Sequence, residues 1–308
     1  MIKQRITFII TIIIIFLGVA MVLQADKESA QNIRPPAVAG KFYPESGPVL
    51  KQAIEQFVAE AKPAGVKSPL AIIAPHAGYI YSGQICADAY NQVRQNAYDT
   101  VVILGTNHTS PRFDKIALYP GDGFKTPLGV ARIDRDIVSR LQRINPDCLP
   151  DASVHAAEHS VEVQVPFVQV LFPQAKIVAA VVGRADEGLC RRFGESLAEV
   201  LRGRRALIVA STDLSHYPTY DDAVKIDGEI LRSITRMAPG ALQGVLQAGL
   251  SRRIPNLHTG ACGEAPILTA MWAAKGLGAR GAKIISYANS GDVAIGQPDR
   301  VVGYGAVA

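Results

Sequence analysis

The chain has 308 residues, 48% of them apolar, and a net charge of +5, of which Lys3 and Arg5 supply two. The remaining +3 is spread thinly, with no basic run longer than Arg202-Gly203-Arg204-Arg205. That excludes the concentrated basic stripe of a nucleic-acid binder.

Residues 6–23 form an uncharged apolar run of 18 residues, followed by Asp26-Lys27-Glu28. As a helix it extends about 27 Å at ~1.5 Å per residue, barely a bilayer core. Residues 1–25 therefore read as a signal peptide or an N-terminal membrane anchor, with an uncleaved or slowly cleaved anchor preferred. Basic residues ahead of the run put the body outside the cytoplasm, anchored or exported. About 280 residues remain, enough for one large α/β domain or two small ones.

Arg34-Pro35-Pro36 and Phe42-Tyr43-Pro44 make the next segment extended. Residues 48–61 carry a helical apolar stripe of Val49, Ala53, Ile54, Phe57 and Val58. Leu70 to Ala74 reads as a buried strand that Pro75 ends, so His76 falls just past its carboxyl end. In open α/β sheets that edge is where ligands collect. A helix over 84–94 follows, then the strand Thr100 to Leu104, which runs through Gly105-Thr106-Asn107 to His108.

A short strand at 115–119, a turn at 124–129, a strand at 130–133 and a helix at 134–143 with Asp134 as its N-cap come next. His155-Ala156-Ala157-Glu158-His159 matches the His-x-x-Glu-His pattern of inverted zinc peptidases. The competing reading puts Glu158, His159 and Glu162 at the start of a helix running to Phe172, where the dipole favours carboxylates and Glu158 or His159 lines the rim. A strand at 176–182 and a helix at 185–202 precede a third apolar strand, Ala206 to Ala210, which leads through Asp213 to His216. Helices at 221–237 and 241–248, Cys262 ahead of a helix at 267–275, and strands at 284–287 and 301–307 complete the chain.

Three strands that each deliver a histidine near their carboxyl ends converge on one rim if they are parallel neighbours. Strands alternating with helices give an α/β fold, a single domain with a largely parallel central sheet flanked by helices. His216 is a candidate general base with Asp213 three residues away. Cys262 is a nucleophile or a metal ligand, its thiolate favoured by a helix N-terminus. Cys86, Cys148 and Cys190 show no zinc-type spacing, and nothing singles out a pair for a disulfide.

Pro75-His76-Ala77-Gly78-Tyr79, Gly105-Thr106-Asn107-His108, Thr126-Pro127-Leu128-Gly129, Glu158-His159-Ser160-Val161-Glu162, Ser211-Thr212-Asp213-Leu214-Ser215-His216 and Cys262-Gly263 with Pro266-Ile267 together resemble the Memo family, called AmmeMemoRadiSam system protein B in prokaryotes. The likeness covers residues 34–308. It implies a fold like that of class III extradiol ring-cleaving dioxygenases, with His76, His108 and Cys262 as ligands of one transition metal, iron before copper. It also implies His216 and Asp213 as the catalytic pair. Glu158, His159, Tyr79 and Asn107 are expected beside the ligands or against a substrate. A thiolate replaces the dioxygenases' carboxylate ligand, which favours iron or copper redox chemistry over ring cleavage.

Three functions follow as expectations. The first is a metal-dependent oxidoreductase acting on a small substrate at the rim. The second is a peptide-binding module resembling a phosphopeptide adaptor, with metal optional. The third is a zinc hydrolase. If the three ligands are right, their donor atoms lie roughly 3–4 Å apart, Cys262 is unpaired, and the His155-Glu158-His159 zinc pattern is accidental.

Overall fold

Near-continuous apolar strands need cover on both faces, and the order of elements supplies it. The computed structural model describes residues 32–184 and 186–308. The chain begins with β1 (Ile33–Arg34), α1 (Gly47–Ala59), β2 (Ala71–Ala74), α2 (Tyr79–Asn91) and β3 (Thr100–Thr106). Next come β4 (Ile116–Leu118), β5 (Gly123–Thr126), β6 (Gly129–Arg132), α3 (Arg135–Ile144), β7 (Cys148–Pro150) and the short α4 (Ala152–Ala156). A 3₁₀ turn (Glu162–Gln164) leads into α5 (Val165–Leu171), β8 (Lys176–Val182), α6 (Glu187–Leu201) and β9 (Ala206–Ser211). The remaining elements are α7 (Tyr220–Thr235), α8 (Pro239–Ser251), α9 (Glu264–Gly276), β10 (Ile284–Asn289) and β11 (Gly303–Val307). Ile33–Ala308 forms one unit.

The large sheet has eight strands in the order β10-β11-β2-β9-β3-β8-β4-β7. Its centre, β2-β9-β3-β8, is parallel throughout. Antiparallel pairings close both flanks, through β11 on β2 and β4 on β8. Val101 to Leu104 and Ile177 to Val182 are wholly buried. The helix α9 packs on β9, β3, β2 and α6, while α2 covers β2, β10 and β11. Each fully buried Leu, Ile or Val contributes roughly 1.5–3 kcal/mol relative to exposure, so this centre dominates the stability.

Helix ends follow local chemistry. Asp134 caps α3 by accepting from the Ile137 N–H, as read from sequence, and Asp186 does the same for α6 through Leu189. Pro48 and Pro239 sit in the first turns of α1 and α8, where a missing N–H costs nothing.

Register fixes the rim. Ala74 pairs with Ser211, and Leu104 pairs with Ala210, so β2, β9 and β3 end side by side. The residues that follow, His76, Asp213 and His108, leave from one edge.

Three expectations are corrected. The segment 124–129 is a hairpin, β5 turning into β6, in a second three-stranded sheet with β1. The helix expected from Glu158 to Phe172 is broken: α4 ends at Ala156, and α5 begins at Val165 with Pro166 in its first turn. Glu158 and His159 lie in the irregular link between them. The transmembrane-helix expectation, and with it the membrane-anchored or exported body, is withdrawn. Among the described residues no helix is long and apolar enough to cross a membrane. The signal-peptide or anchor reading of residues 1–25, with its run 6–23, lies outside the described residues.

Candidate metal centre

Pro75 stops β2, and the next two N–H groups, of His76 and Ala77, donate to Asp213 Oδ1 at 2.8 and 3.2 Å. This clamp holds the His76 turn against the end of β9. His76 is buried, with Nδ1 3.1 Å from Ser211 Oγ and Nε2 3.2 Å from Cys262 Sγ. The tautomer follows from counting hydrogens. Ser211 Oγ gives its single proton to the Ser160 carbonyl at 2.6 Å and also accepts from Gln164 Nε2 at 3.0 Å. It therefore faces His76 as an acceptor, so Nδ1 carries the proton and Nε2 presents a lone pair. Burial, then the neighbouring imidazoles of His159, His108 and His216, hold His76 well below the usual histidine range.

His108 is fixed the same way. Its backbone N–H donates to Glu158 Oε2 at 2.7 Å, and its Nδ1 lies 2.9 Å from Glu158 Oε1. Burial opposes ionisation of Glu158, but hydrogen bonds and charge from His108 and the Ser160 N–H outweigh it and bring the carboxyl to about 2. An ionised carboxylate only accepts, so His108 Nδ1 bears the proton and Nε2 is left as a donor atom. A carboxylate behind a histidine is the usual support of a metal-ligating imidazole.

Cys262 sits just ahead of α9, whose N-cap is Gly263. The Asp213 N–H points at Sγ from 3.3 Å, and Thr106 Oγ1 holds the Cys262 carbonyl at 2.9 Å. Burial, then the Asp213 charge, push the thiol well up, so a cation is needed to make the thiolate favourable here. Two glycines let these segments meet. A Cβ on Gly105 would lie 2.5 Å from Ser160 Oγ, and one on Gly263 would lie 2.6 Å from the Ser211 carbonyl.

The donor atoms of His76, His108 and Cys262 all lie within 4.8 Å of one another. Two further groups overlap them: His108 with Glu158 and His159, and Cys262 with Asp213 and His216. All four cysteines are free. The His159 ring stacks on His108 at 4.5 Å and meets Phe42 at 4.8 Å, so it walls the same rim. Burial and then His108 bring His159 down to about 4.

His216 reaches the rim by a different route. Its backbone bridges to Thr259 and Val302 beyond the end of β9. Its Nε2 is buried without a hydrogen-bond partner among the described residues, and burial followed by His108 lowers the ring to about 4.

Asp213, Tyr79 and Asn107 are also held by bonds within the fold, Asp213 with its donor atom within 4.8 Å of those of His216 and Cys262. Asp213 Oδ1 accepts from the His76 and Ala77 backbone N–H groups, and burial raises the carboxyl to about 7. The Tyr79 hydroxyl donates to the Val163 carbonyl at 2.8 Å, and its ring packs on Tyr43, Phe57 and Phe167. Asn107 braces its own loop, accepting from the Ser110 N–H at 2.9 Å and donating to the Ser110 carbonyl at 2.7 Å.

His155 turns away from the rim. Its Nε2 donates to the Ala117 carbonyl at 3.0 Å, and its ring sits among Tyr119 and Phe124. Replacing His155 with alanine should leave metal content unchanged, with any loss of stability read separately by urea unfolding. Stoichiometric loss of metal in that variant would revive the zinc-hydrolase reading.

Behind His216, the fully buried Asp227 of α7 accepts from the Ser215 N–H at 2.9 Å, the Ser215 hydroxyl at 3.0 Å and the Tyr287 hydroxyl at 2.8 Å. Burial pushes its carboxyl up to about 7. A raised carboxyl gives stability that is fully present below the unfolded value of about 4 and is lost as pH rises through the folded value. The stability of the wild type relative to Asp227→Asn should therefore fall between about pH 4 and about pH 7. Urea midpoints of both proteins across that window check it; a constant difference would show that Asp227 is already ionised in the fold.

Residues 34–308 match the family model described as Memo-like protein. The chain belongs to the Memo-like family. A MEMO1 family protein of Ignicoccus hospitalis is 36% identical over 288 residues, covering 89% of this chain and 98% of the relative. Those of Aquifex aeolicus and Methanosarcina mazei are 36% and 35% identical, covering 89% and 90% of this chain and 97% and 98% of themselves. An uncharacterized protein of Escherichia coli K12 shares the fold, with a TM-score of 0.51 at 14% identity over 77% of this chain and 98% of its own.

Sequence reasoning missed Ser211, Ser160 and Gln164, which set the His76 tautomer, and the Arg34–Glu162 pair beneath the site. Arg34 donates to Glu162 at 2.6 Å, to the Glu158 carbonyl at 2.8 Å and to the His155 carbonyl at 2.7 Å. It thereby fixes the segment of this Memo-like protein that carries Glu158.

Proposed function

We propose that His76, His108 and Cys262 hold one transition-metal ion, iron before copper, and that the protein is a metal-dependent oxidoreductase acting on a small molecule at this rim. One observation carries the reading: two imidazoles, each with Nδ1 occupied by an acceptor, lie with a thiol so that the three donor atoms are within 4.8 Å. Two neutral nitrogens and a sulfur suit a softer, redox-active ion better than a hard oxygen-seeking one.

When bound, such an ion supplies electron exchange with a substrate or an oxidant. The protein's own residues do the rest. Glu158 keeps the His108 ring in place, and Ser211 and Asp213 keep His76 in place. The unpartnered Nε2 of His216, whose donor atom lies within 4.8 Å of those of Asp213 and Cys262, is positioned to accept a proton from a bound molecule. His159 and Phe42 form an aromatic wall on the other side.

Metal analysis of protein purified without added metal, together with oxygen uptake in the presence of ascorbate, tests this. Iron or copper with uptake is the expected result. Zinc alone would favour a hydrolase. A metal-free protein that binds peptides tightly would overturn the oxidoreductase reading in favour of a peptide-binding module.

A further inference from the structure

Away from the histidine rim, a cavity of about 360 Å³ opens beside the start of β2. Its floor is apolar, built from Ile72, Ile73, Ile234, Ile267, Met271 and Val307. Well-packed interiors leave few voids larger than a water molecule, whereas cavities of roughly 300–1,000 Å³ are the usual size of small-ligand sites.

The edge of the cavity has the opposite chemistry. Lys67 and Arg280 line it, both exposed, and neither has an ion-pair or hydrogen-bond partner among the described residues. Among the described residues no Asp or Glu side chain lines it. The backbone N–H groups of Arg280, Gly281 and Ala282 at the same edge also have no hydrogen-bond acceptor among the described residues. An apolar interior beneath an edge that carries two cationic side chains favours a molecule with an apolar tail and an anionic head.

We propose that this cavity binds a single-chain amphipathic carboxylate, a medium-chain fatty acid, with its tail over Ile72 and Met271 and its head at Lys67 and Arg280. The volume, near the lower bound for small-ligand sites, argues for one short chain over a two-chain lipid. The site shares no residue with the candidate metal ligands, so its occupancy does not depend on them.

Calorimetric titration of the full chain with octanoate and with 1-octanol tests the proposal. Octanoate should saturate one site, with 1-octanol at least about tenfold weaker. The double variant Lys67→Gln/Arg280→Gln should weaken octanoate about tenfold and leave 1-octanol unchanged. Filling the cavity with Ala270→Phe should abolish binding of both; if that variant does not fold, the smaller Ala274→Leu replaces it. Treatment with a metal chelator should change nothing. The proposal is overturned if octanoate fails to saturate, if 1-octanol binds as tightly, if neither the charge nor the filling variant alters octanoate binding, or if chelation abolishes it.

Discussion

Replacing Glu162 with alanine will destabilise the fold by about 3–5 kcal/mol, the usual cost of leaving one partner of a buried ion pair uncompensated. Both partners are almost wholly buried, at 3% and 0% exposure. Glu162 also accepts from the Ala37 and Val38 N–H groups at 2.8 and 3.0 Å and from the Tyr43 hydroxyl at 2.6 Å. Alanine strands all of these donors at once, and unsatisfied buried donors each carry a penalty. Burial, then the hydrogen bond to Glu162, already raise the Tyr43 hydroxyl well above its usual range. Glu162→Gln keeps the volume and one acceptor and should fall between wild type and alanine. A double change, Arg34→Met with Glu162→Leu, should recover only the part due to the uncompensated charge, because the Ala37, Val38 and Tyr43 donors stay unmatched and the Glu158 and His155 carbonyls lose Arg34. Urea midpoints decide; an alanine variant as stable as wild type would show that the pair contributes nothing.

The proposed metal site predicts that replacing His76 or Cys262 with alanine strips the metal. The loss in affinity should exceed the roughly 10–100-fold that removing a supporting residue behind a ligand costs. Glu158→Gln provides that smaller comparison. Glutamine still accepts from His108 Nδ1, but its amide group turns a donor toward the His108 N–H that Glu158 Oε2 now accepts. Metal per chain, measured by mass spectrometry against a competing chelator, should rank wild type above Glu158→Gln and Glu158→Gln above both alanine variants. Full metal retention in Cys262→Ala would remove the thiolate from the ligand set.

The frame of this site was legible because buried parallel strands are written as contiguous apolar runs. Leu70 to Ala74, Thr100 to Leu104 and Ala206 to Ala210 each end in small or proline residues followed by a histidine, and their registers bring those ends together. The start of α2 at Tyr79 was not legible, because a helix buried on nearly every side shows no polar face. The start of α5 was not legible either: the helix expected from Glu158 runs through Pro166, whereas Pro166 occupies a first turn, where proline is tolerated. The hydrogen bonds of Asp213 to the His76 and Ala77 backbone span 137 and 136 positions. The Arg34–Glu162 pair spans 128 positions. Partnerships of that range leave no local pattern.

The place of β2 in the large sheet also sets an order of events. Its hydrogen-bonded neighbours are β9, which starts at Ala206, and β11, which starts at Gly303. The strand leading to His76 therefore stays without a partner until most of the chain has been made, at roughly 5–20 residues per second. Closing so long a loop is slow, because its entropy is lost before any pairing rewards it. His76, His108 and Cys262 come from three distant stretches and meet only when this closure is complete. An ion held there finds its ligands on a finished sheet, so loading follows folding rather than driving it.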